Sequence, residues 1–477
     1  MADRDGDKHE QDNDGGGDDR SELVIVGGGP GGYMAAFAAA DLGLDVTLVD
    51  PEENPGGVCL YRGCIPSKAL LHAAKLVRDA EEGAKIGISF GKPEIDLNRI
   101  RAWKNEVVDK LTAGLGGKAK QARIAHLRGH GRLIGENTLA VELVAGGWRT
   151  LEFDQAILAA GSRPLALPGV PEESDRVLDS SSALDLASAP KSLLVIGGGY
   201  IGLELGSVYA ALGSRVSVVE MTGGLLPGVD RDLVSVLKRR LDTQFDEIRL
   251  NAKVTDMKQQ KNGMRVAIED KQGGSENRVF ERVLVSIGRR PNSDDLGLDA
   301  AGIETDERGF VKVDGQRRTA ARHIFAIGDL AGEPMLAHKA YAEALVAAEA
   351  AAGRKSVYDP RAIPAVVFTD PEIAWCGLTE TEARARQRKV KTAKIPWRSN
   401  GRTLTLGRED GLTKLIADPE NGRLLGVGLA GPGAGELIAE AVLAVEMAAV
   451  AEDLRRTIHP HPTLSETLFD AAAGLLA

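Results

Sequence analysis

GGGPGGYMAAFAAADLGLDVTLVD, from Gly27 to Asp50, recurs 170 residues later as GGGYIGLELGSVYAALGSRVSVVE, from Gly197 to Glu220. The two stretches align without a gap. Gly27, Gly29 and Gly32 match Gly197, Gly199 and Gly202, Gly43 matches Gly213, and the closing acid Asp50 matches Glu220. Each copy follows an apolar run, Leu23 to Val26 or Leu193 to Ile196, that reads as a buried parallel strand. The glycines allow a tight turn and close approach of a pyrophosphate, whose charge a helix N-terminus favours. An Ala-rich helix returns at Gly43 or Gly213, and a second strand ends in an acid able to accept from a ribose 2′-OH. One glycine-rich turn is often only a turn. Two copies in register, each with strand, helix, strand and acid, predict an α/β chain with two Rossmann-like dinucleotide-binding units.

Glu220 bears on which dinucleotide the second unit takes. A carboxylate at the ribose repels a 2′-phosphate, and no Arg or Lys occurs from Met221 to Val229. NAD is expected there rather than NADP. Just after the first unit comes GGVCLYRGCIPSK, Gly56 to Lys68, with two of the three cysteines of the chain. A thiol pair cycling between dithiol and disulfide passes two electrons at a time. Ile65 onward reads as a helix start with Pro66 in its first turn, and a helix N-terminus and the Lys68 cation both lower a thiol pKa. Positions five apart in a regular helix have Cα atoms roughly 8–9 Å apart, too far for a disulfide. Gly63 is therefore expected to bend the chain, with Cys59 in a loop or distorted turn as the more exposed sulfur. A zinc site needs a second ligand pair, and Cys376 stands alone and reads as a buried bystander. A structural disulfide is disfavoured in a chain with few cysteines and no secretory signal, and two inert thiols are the bland alternative. The first unit must hold the electron partner of the pair, and a flavin, FAD, is the natural choice.

At 477 residues the chain suits about three domains. The expected division is a disordered acidic tail at 1–20, an FAD unit at 21–180, an NAD unit at 181–282, a segment at 283–352 completing the FAD unit, and a C-terminal α+β domain at 353–477. Within this frame Ala156 to Ala160, Val283 to Ile287 and Ile324 to Ile327 read as strands, each ending at a glycine: Gly161, Gly288 and Gly328. Asp329 reads equally as a polyol acceptor or a turn residue. Met335-Leu336-Ala337-His338 opens an Ala-rich helix, whose dipole can stabilise negative charge on a reduced flavin ring or be a plain helix start. Ala365 to Phe368 and Leu424 to Gly428 suggest an antiparallel sheet.

Composition excludes other classes. No apolar run is long enough to span a bilayer, and Leu437 to Val450 is interrupted by Glu440 and Glu446. The formal net charge is −10, and residues 1–20 supply about half of it with eight acids and three bases. An acidic chain without a basic stripe is a poor nucleic-acid binder, and the cytoplasm is the expected location. Near the C-terminus, two prolines restrict the backbone around His461, and Glu466 is placed to orient its imidazole. Thr463 and Glu466 also fit a helix capping box, the reading that spacing alone favours. His459 and His461 lie two apart, but no third metal ligand is near, so no metal is expected.

GGVCLYRGCIPSK and HPHPTLSE (His459 to Glu466) together carry a resemblance that runs from about Glu22 to the C-terminus. The chain resembles the dihydrolipoamide dehydrogenases, a branch of the flavin-dependent pyridine nucleotide–disulfide oxidoreductases. The resemblance implies FAD in the first unit at Gly27, Gly29, Gly32, Gly57, Gly161, Leu336 and Ala337, with Asp50 on the adenosine ribose and Asp329 on the ribityl chain. It implies NAD at Gly197, Gly199, Gly202, Glu220 and Gly288, and a Lys68–Glu204 pair beside the flavin. Cys59 and Cys64 become the redox disulfide, and His461 the base with Glu466 as its partner. The C-terminal domain becomes a dimerisation domain, with His461 reaching the disulfide of the other subunit of a homodimer. The substrate partner implied is a lipoyl-bearing acyltransferase or carrier protein of a multienzyme complex. Tyr61-Arg62 stands where many members have Asn-Val, and Ala160 where Thr is common. Glutathione-type reductases favour NADPH, which Glu220 opposes. Thioredoxin- and mercury-type reductases need further C-terminal cysteines. A diaphorase would not need the His–Glu dyad, and a non-catalytic flavoprotein would need neither the dyad nor the thiols.

Overall fold

The computed structural model describes residues 20–169 and 174–477. The expected acidic tail lies outside the described residues except for Arg20, which already belongs to the first strand, Arg20–Val26. That strand runs parallel to Val46–Val49 on one side and to Trp148–Leu158 on the other. Ala125–Leu127 extends the sheet beyond Val46–Val49, while Thr138–Leu143 and Gly129–Gly135 extend it beyond Trp148–Leu158. Ile324–Ala326 pairs with Trp148–Leu158 from far along the chain. The strand Arg20–Val26 is buried along Leu23 to Val26 because helices cover it. Helix Pro30–Asp41 presents Ala35, Ala36 and Ala39, and helix Ala337–Ala351 presents Ala344, Ala347 and Ala348, to the same core. Side chains this small let the two helices lie close, at interior packing density.

The second sheet is all parallel: Glu247–Leu250, Arg215–Glu220, Ser192–Ile196, Arg282–Val285, Val177–Leu178. Two of these strands lie across the expected limits of the unit. Val177–Leu178 precedes residue 181, and Arg282–Val285 crosses the 282/283 boundary. The chain thus leaves and re-enters the second unit through strands, and a composition change could not mark the crossing. In both units the helix after the glycine turn stops at a glycine in the left-handed region, Gly43 at φ 90° and Gly213 at φ 101°, where a β-carbon would be strained.

The C-terminal domain is a five-stranded antiparallel sheet ordered Ala365–Val367, Glu372–Gly377, Leu424–Gly431, Leu412–Ala417, Lys391–Pro396. Helices Ala434–Glu446 and Glu466–Leu476 pack on it. Cys376 is buried in the second of these strands, and burial pushes its thiol up to about 12, as befits a bystander. No helix among the described residues is long and apolar enough to cross a membrane.

A buried cation fastens this domain to the second unit. Lys414, 1% exposed, lies 2.7 Å from Asp230, 2.6 Å from Glu380 and 3.1 Å from Asp232. Its hydrogen bond is the largest influence holding the Glu380 carboxyl down at about 2, below its ordinary value. Lys414→Ala leaves the buried Asp230 and two partly buried carboxylates without their cation and is expected to cost about 3–5 kcal/mol in denaturant unfolding. Because the Glu380 value is depressed on folding, its contribution is present above the unfolded carboxyl pKa of about 4.3 and fades as pH falls toward the folded value. The gap between wild type and variant should therefore narrow in acid. A gap that widens there, or none at neutral pH, contradicts this account.

Candidate active site

The cysteine segment forms two helices, Gly57–Arg62 and Cys64–Glu82, interrupted at Gly63. Cys59 thus sits in a short helix, not in the expected loop. The expected bend does fall on Gly63, where a β-carbon would come within 2.9 Å of the Val58 carbonyl oxygen. The expected order of exposure is reversed. Cys64 is the more exposed residue, on the wall of the cavity described below, while Cys59 is half-buried and packs against the Ala-rich core of the first unit. The reason is the break itself, which turns Cys59 back onto the first helix layer and leaves Cys64 opening the long helix. The neighbouring Cys59 thiol is the main cause holding Cys64 below its ordinary value; burial opposes it and the Lys68 ammonium assists. Cys59 is pushed up by the nearness of Cys64 and by burial.

Lys68, one turn along, reaches Glu204 of the second unit at 2.9 Å. The other oxygen of Glu204 accepts the Phe368 backbone N–H at 2.9 Å, and the Lys68 ammonium stands 4.3 Å above the Phe368 ring. Both sequence-derived partners therefore meet, and Phe368, which no motif signalled, joins them.

These groups close one end of a cavity of about 640 Å³. Its walls run from Asp50 and the Gly27 to Gly31 turn, past Gly57, Gly161 and Asp329, to Cys59, Cys64, Lys68, Glu204 and Tyr200. Asp50 accepts from the Gly28 N–H at 2.5 Å and from the Glu52 N–H at 3.0 Å, which leaves lone pairs for a further donor. Burial raises its carboxyl, and these two bonds oppose the rise. Glu220 repeats the arrangement on the Gly198 and Thr222 N–H groups, each at 2.7 Å. No motif assignment marks the middle glycines, Gly28 and Gly198, although each donates its N–H to the closing acid. Asp329 accepts from the Ser162 hydroxyl at 2.5 Å, and Ser162 accepts from Arg289 Nε at 2.8 Å. Neither partner was foreseen, because no short motif links residues this distant.

The sequence-derived cofactor residues divide. Ala337 lines the cavity, as does Met335, which is not among them, whereas Leu336 caps helix Ala337–Ala351. Gly197, Gly199, Gly202, Glu220 and Gly288 lie outside this cavity, around the turn of the second unit. The nearest cation following that turn, Arg231, donates to the carbonyls of Leu225, Leu226 and Val229 and so is engaged away from a 2′-phosphate. The cavity fits FAD: its walls bring together the N–H groups of the Gly27 to Gly31 turn, the Asp50 carboxylate and the thiol pair. At Gly29 and Gly161 a β-carbon would have no neighbour closer than 4.0 Å, so that stretch of wall is bare backbone.

His461 Nδ1 lies 2.8 Å from Glu466 Oε1, and Glu466 Oε2 accepts the Thr463 N–H at 2.8 Å. Dyad and cap therefore share one carboxylate. Only half of the expected capping box forms, since the Thr463 hydroxyl turns to Pro460 and Ser465. Glu466 is held below the usual carboxyl value, first by the Thr463 N–H and then by His461. The His461 ring is 78% exposed and does not line the cavity. His459 turns inward to Glu440 and the Thr457 carbonyl, each at 2.9 Å. No group of three metal-binding side chains occurs among the described residues.

Two nucleotide turns, a thiol pair and a separate α+β domain define a flavin-linked disulfide oxidoreductase. The chain belongs to the pyridine nucleotide–disulphide oxidoreductases, whose family model matches residues 21–344 and whose dimerisation-domain model matches residues 363–472. FAD and NAD are the cofactors of this enzyme class. Among its relatives, the dihydrolipoyl dehydrogenase of Vibrio parahaemolyticus is 47% identical over 95% of both chains. That of Thermus scotoductus is 46% identical over 95% of this chain and 97% of its own. The crystal structure of LpdA from Mycobacterium tuberculosis matches with a TM-score of 0.88 at 28% identity, over 96% of this chain and all of that one.

In the reduced protein, ultraviolet thiolate absorbance should appear at a pH below that of an ordinary cysteine. Lys68→Met should move this onset to higher pH by removing the ammonium. An unmoved onset would show that Lys68 does not act on Cys64.

Proposed function

We propose that this chain is a dihydrolipoyl dehydrogenase: it oxidises protein-bound dihydrolipoyl groups to the disulfide and reduces NAD to NADH, as a cytoplasmic homodimer. The observation that carries the reading is the thiol pair closing a dinucleotide cavity in a chain that also bears an exposed His–Glu dyad. A reductase without a thiol substrate needs only the first of these.

His461 takes a proton from the dihydrolipoyl thiol at Nε2, while Glu466 holds Nδ1 and balances the charge of the imidazolium. The substrate thiolate attacks Cys59 and breaks the Cys59–Cys64 disulfide, so that the electron pair of the S–S bond stays on Cys64. The second substrate thiol then loses its proton and displaces Cys59, which closes the lipoyl disulfide and leaves the enzyme two electrons richer. Cys64 carries the thiolate because the Cys59 thiol and Lys68 stabilise it there. That leaves Cys59 for the exchange with substrate. Bound in the cavity, FAD supplies the two-electron relay from the thiol pair to NAD.

The His461 ring stands clear of its own cavity, which supports a site completed by a second subunit. Leu443, Met447 and Ile458 lie exposed on the C-terminal domain, an apolar supply for a two-fold interface.

Cys64→Ser should abolish thiol turnover and leave flavin bound. His461→Gln should slow dihydrolipoamide oxidation by about 10²–10⁴-fold while stopped-flow reduction of the flavin by NADH keeps its rate. Equal loss in both half-reactions contradicts the base role, and loss of flavin from the cysteine variant contradicts the thiol assignment.

A further inference from the structure

The chain is acidic overall, yet Arg384 to Arg402 holds eight bases and no acid. The overall charge hides this stretch, and the expectation of no basic stripe fails there. All eight are exposed, on the end of helix Glu380–Ala385, the loop after it, the edge strand Lys391–Pro396, and the turn and short helix that follow. Arg384, Arg388 and Lys394 are paired with carboxylates. Among the described residues, Arg386, Lys389, Lys391, Arg398 and Arg402 have no ion pair.

Two of the five are fixed next to the catalytic loop. Asn400, buried between Arg398 and Arg402, donates to the Thr463 carbonyl at 3.0 Å, two residues from His461. Its side-chain oxygen accepts the N–H groups of Arg402 and Thr403. Trp397, fully buried, donates to Thr413 at 2.8 Å, and Thr413 donates to Thr467 in the helix that starts at Glu466. The turn carrying Arg398 and the helix carrying Arg402 are thereby locked to the His461–Glu466 element from two sides. Leu404 and Leu406 lie exposed just beyond.

We propose that this basic rim docks the acidic face of the lipoyl-bearing carrier domain whose thiol arrives at His461. The inference rests on the function proposed above. A free lipoamide is uncharged, so unpaired guanidinium groups offer it little; a carrier domain must come to rest beside the point where its arm enters. Rim charges chiefly raise the encounter rate and select partners. Nucleic acid is the weaker fit, because the one aromatic side chain in the stretch, Trp397, is buried and offers no stacking face.

The test uses the intact holoenzyme and three reduced substrates: dihydrolipoamide, a dihydrolipoyl-lysine peptide flanked by aspartates, and the same peptide flanked by asparagines. At low ionic strength the aspartate peptide should exceed the asparagine peptide in kcat/KM by ~10-fold, with the advantage vanishing at high salt. Arg398→Glu with Arg402→Glu should erase the advantage and leave dihydrolipoamide oxidation within about twofold, since uncharged substrates gain nothing from steering. The milder Arg398→Gln with Arg402→Gln, and the salt dependence of the wild type, decide the matter if the first variant does not fold. Equal use of both peptides by a wild type that oxidises dihydrolipoamide overturns the docking face and leaves the function standing. Failure to oxidise any of the three overturns the function itself. DNA binding lost in the variant, with no peptide preference, would reassign the rim to nucleic acid.

Discussion

The carboxylate of Glu204 is the constraint on which the site depends. It is 5% exposed and has two partners from two other parts of the chain: the Lys68 ammonium and the Phe368 backbone N–H. Glu204 itself lies on the helix that follows the second glycine turn. One buried acid therefore joins the thiol-bearing helix, the second nucleotide unit and the entry to the C-terminal sheet. A buried charge left without partners is costly, so the three bodies must sit where all three groups meet. The wall of the cavity that Lys68, Glu204 and the thiols share is set at that junction.

The same economy recurs around the cavity. Asp50 and Glu220 each spend one oxygen on the N–H of a glycine turn, so the acid that marks a ribose site also braces the loop that holds a pyrophosphate. Asp329 is held through Ser162 by Arg289, so the pairing of Ser162–Pro164 with Arg289–Pro291 also orients that acid. Glu466 serves the imidazole with one oxygen and a backbone N–H with the other. In each case a group exposed to ligand or solvent is fixed by a bond to the backbone or to a buried side chain, which is how a site keeps its geometry without its occupant.

Much of this was legible in the chain because it is local. The repeat placed both nucleotide turns, since strand, glycine turn, helix and acid lie within one short stretch. The thiol pair and the bend at Gly63 were legible for the same reason, whereas spacing favoured a helix cap at Thr463 and Glu466 and only the family resemblance pointed to the dyad. What local pattern could not give was any relation set by packing. The helix at Gly57–Arg62 forms against the core, so Cys59 and Cys64 exchange their expected exposures. The second sheet recruits Val177–Leu178 and Arg282–Val285 from outside its apparent limits, because a parallel sheet takes its strands through crossovers. Phe368, Ser162 and Arg289 meet their partners across more than a hundred residues and carry no motif. The choice between dyad and cap was never a real alternative, because one carboxylate has oxygens for both.

The central claim is that electrons travel from a dihydrolipoyl thiol through the Cys59–Cys64 pair and the flavin to NAD. Anaerobic titration of the purified holoenzyme with dihydrolipoamide, followed by NAD, tests it directly in the visible spectrum. The account requires a long-wavelength thiolate-to-flavin band to appear with dihydrolipoamide and to clear on adding NAD as NADH forms. A spectrum indifferent to dihydrolipoamide but bleached by NADH would contradict it, leaving a flavoprotein whose disulfide partner is some other molecule.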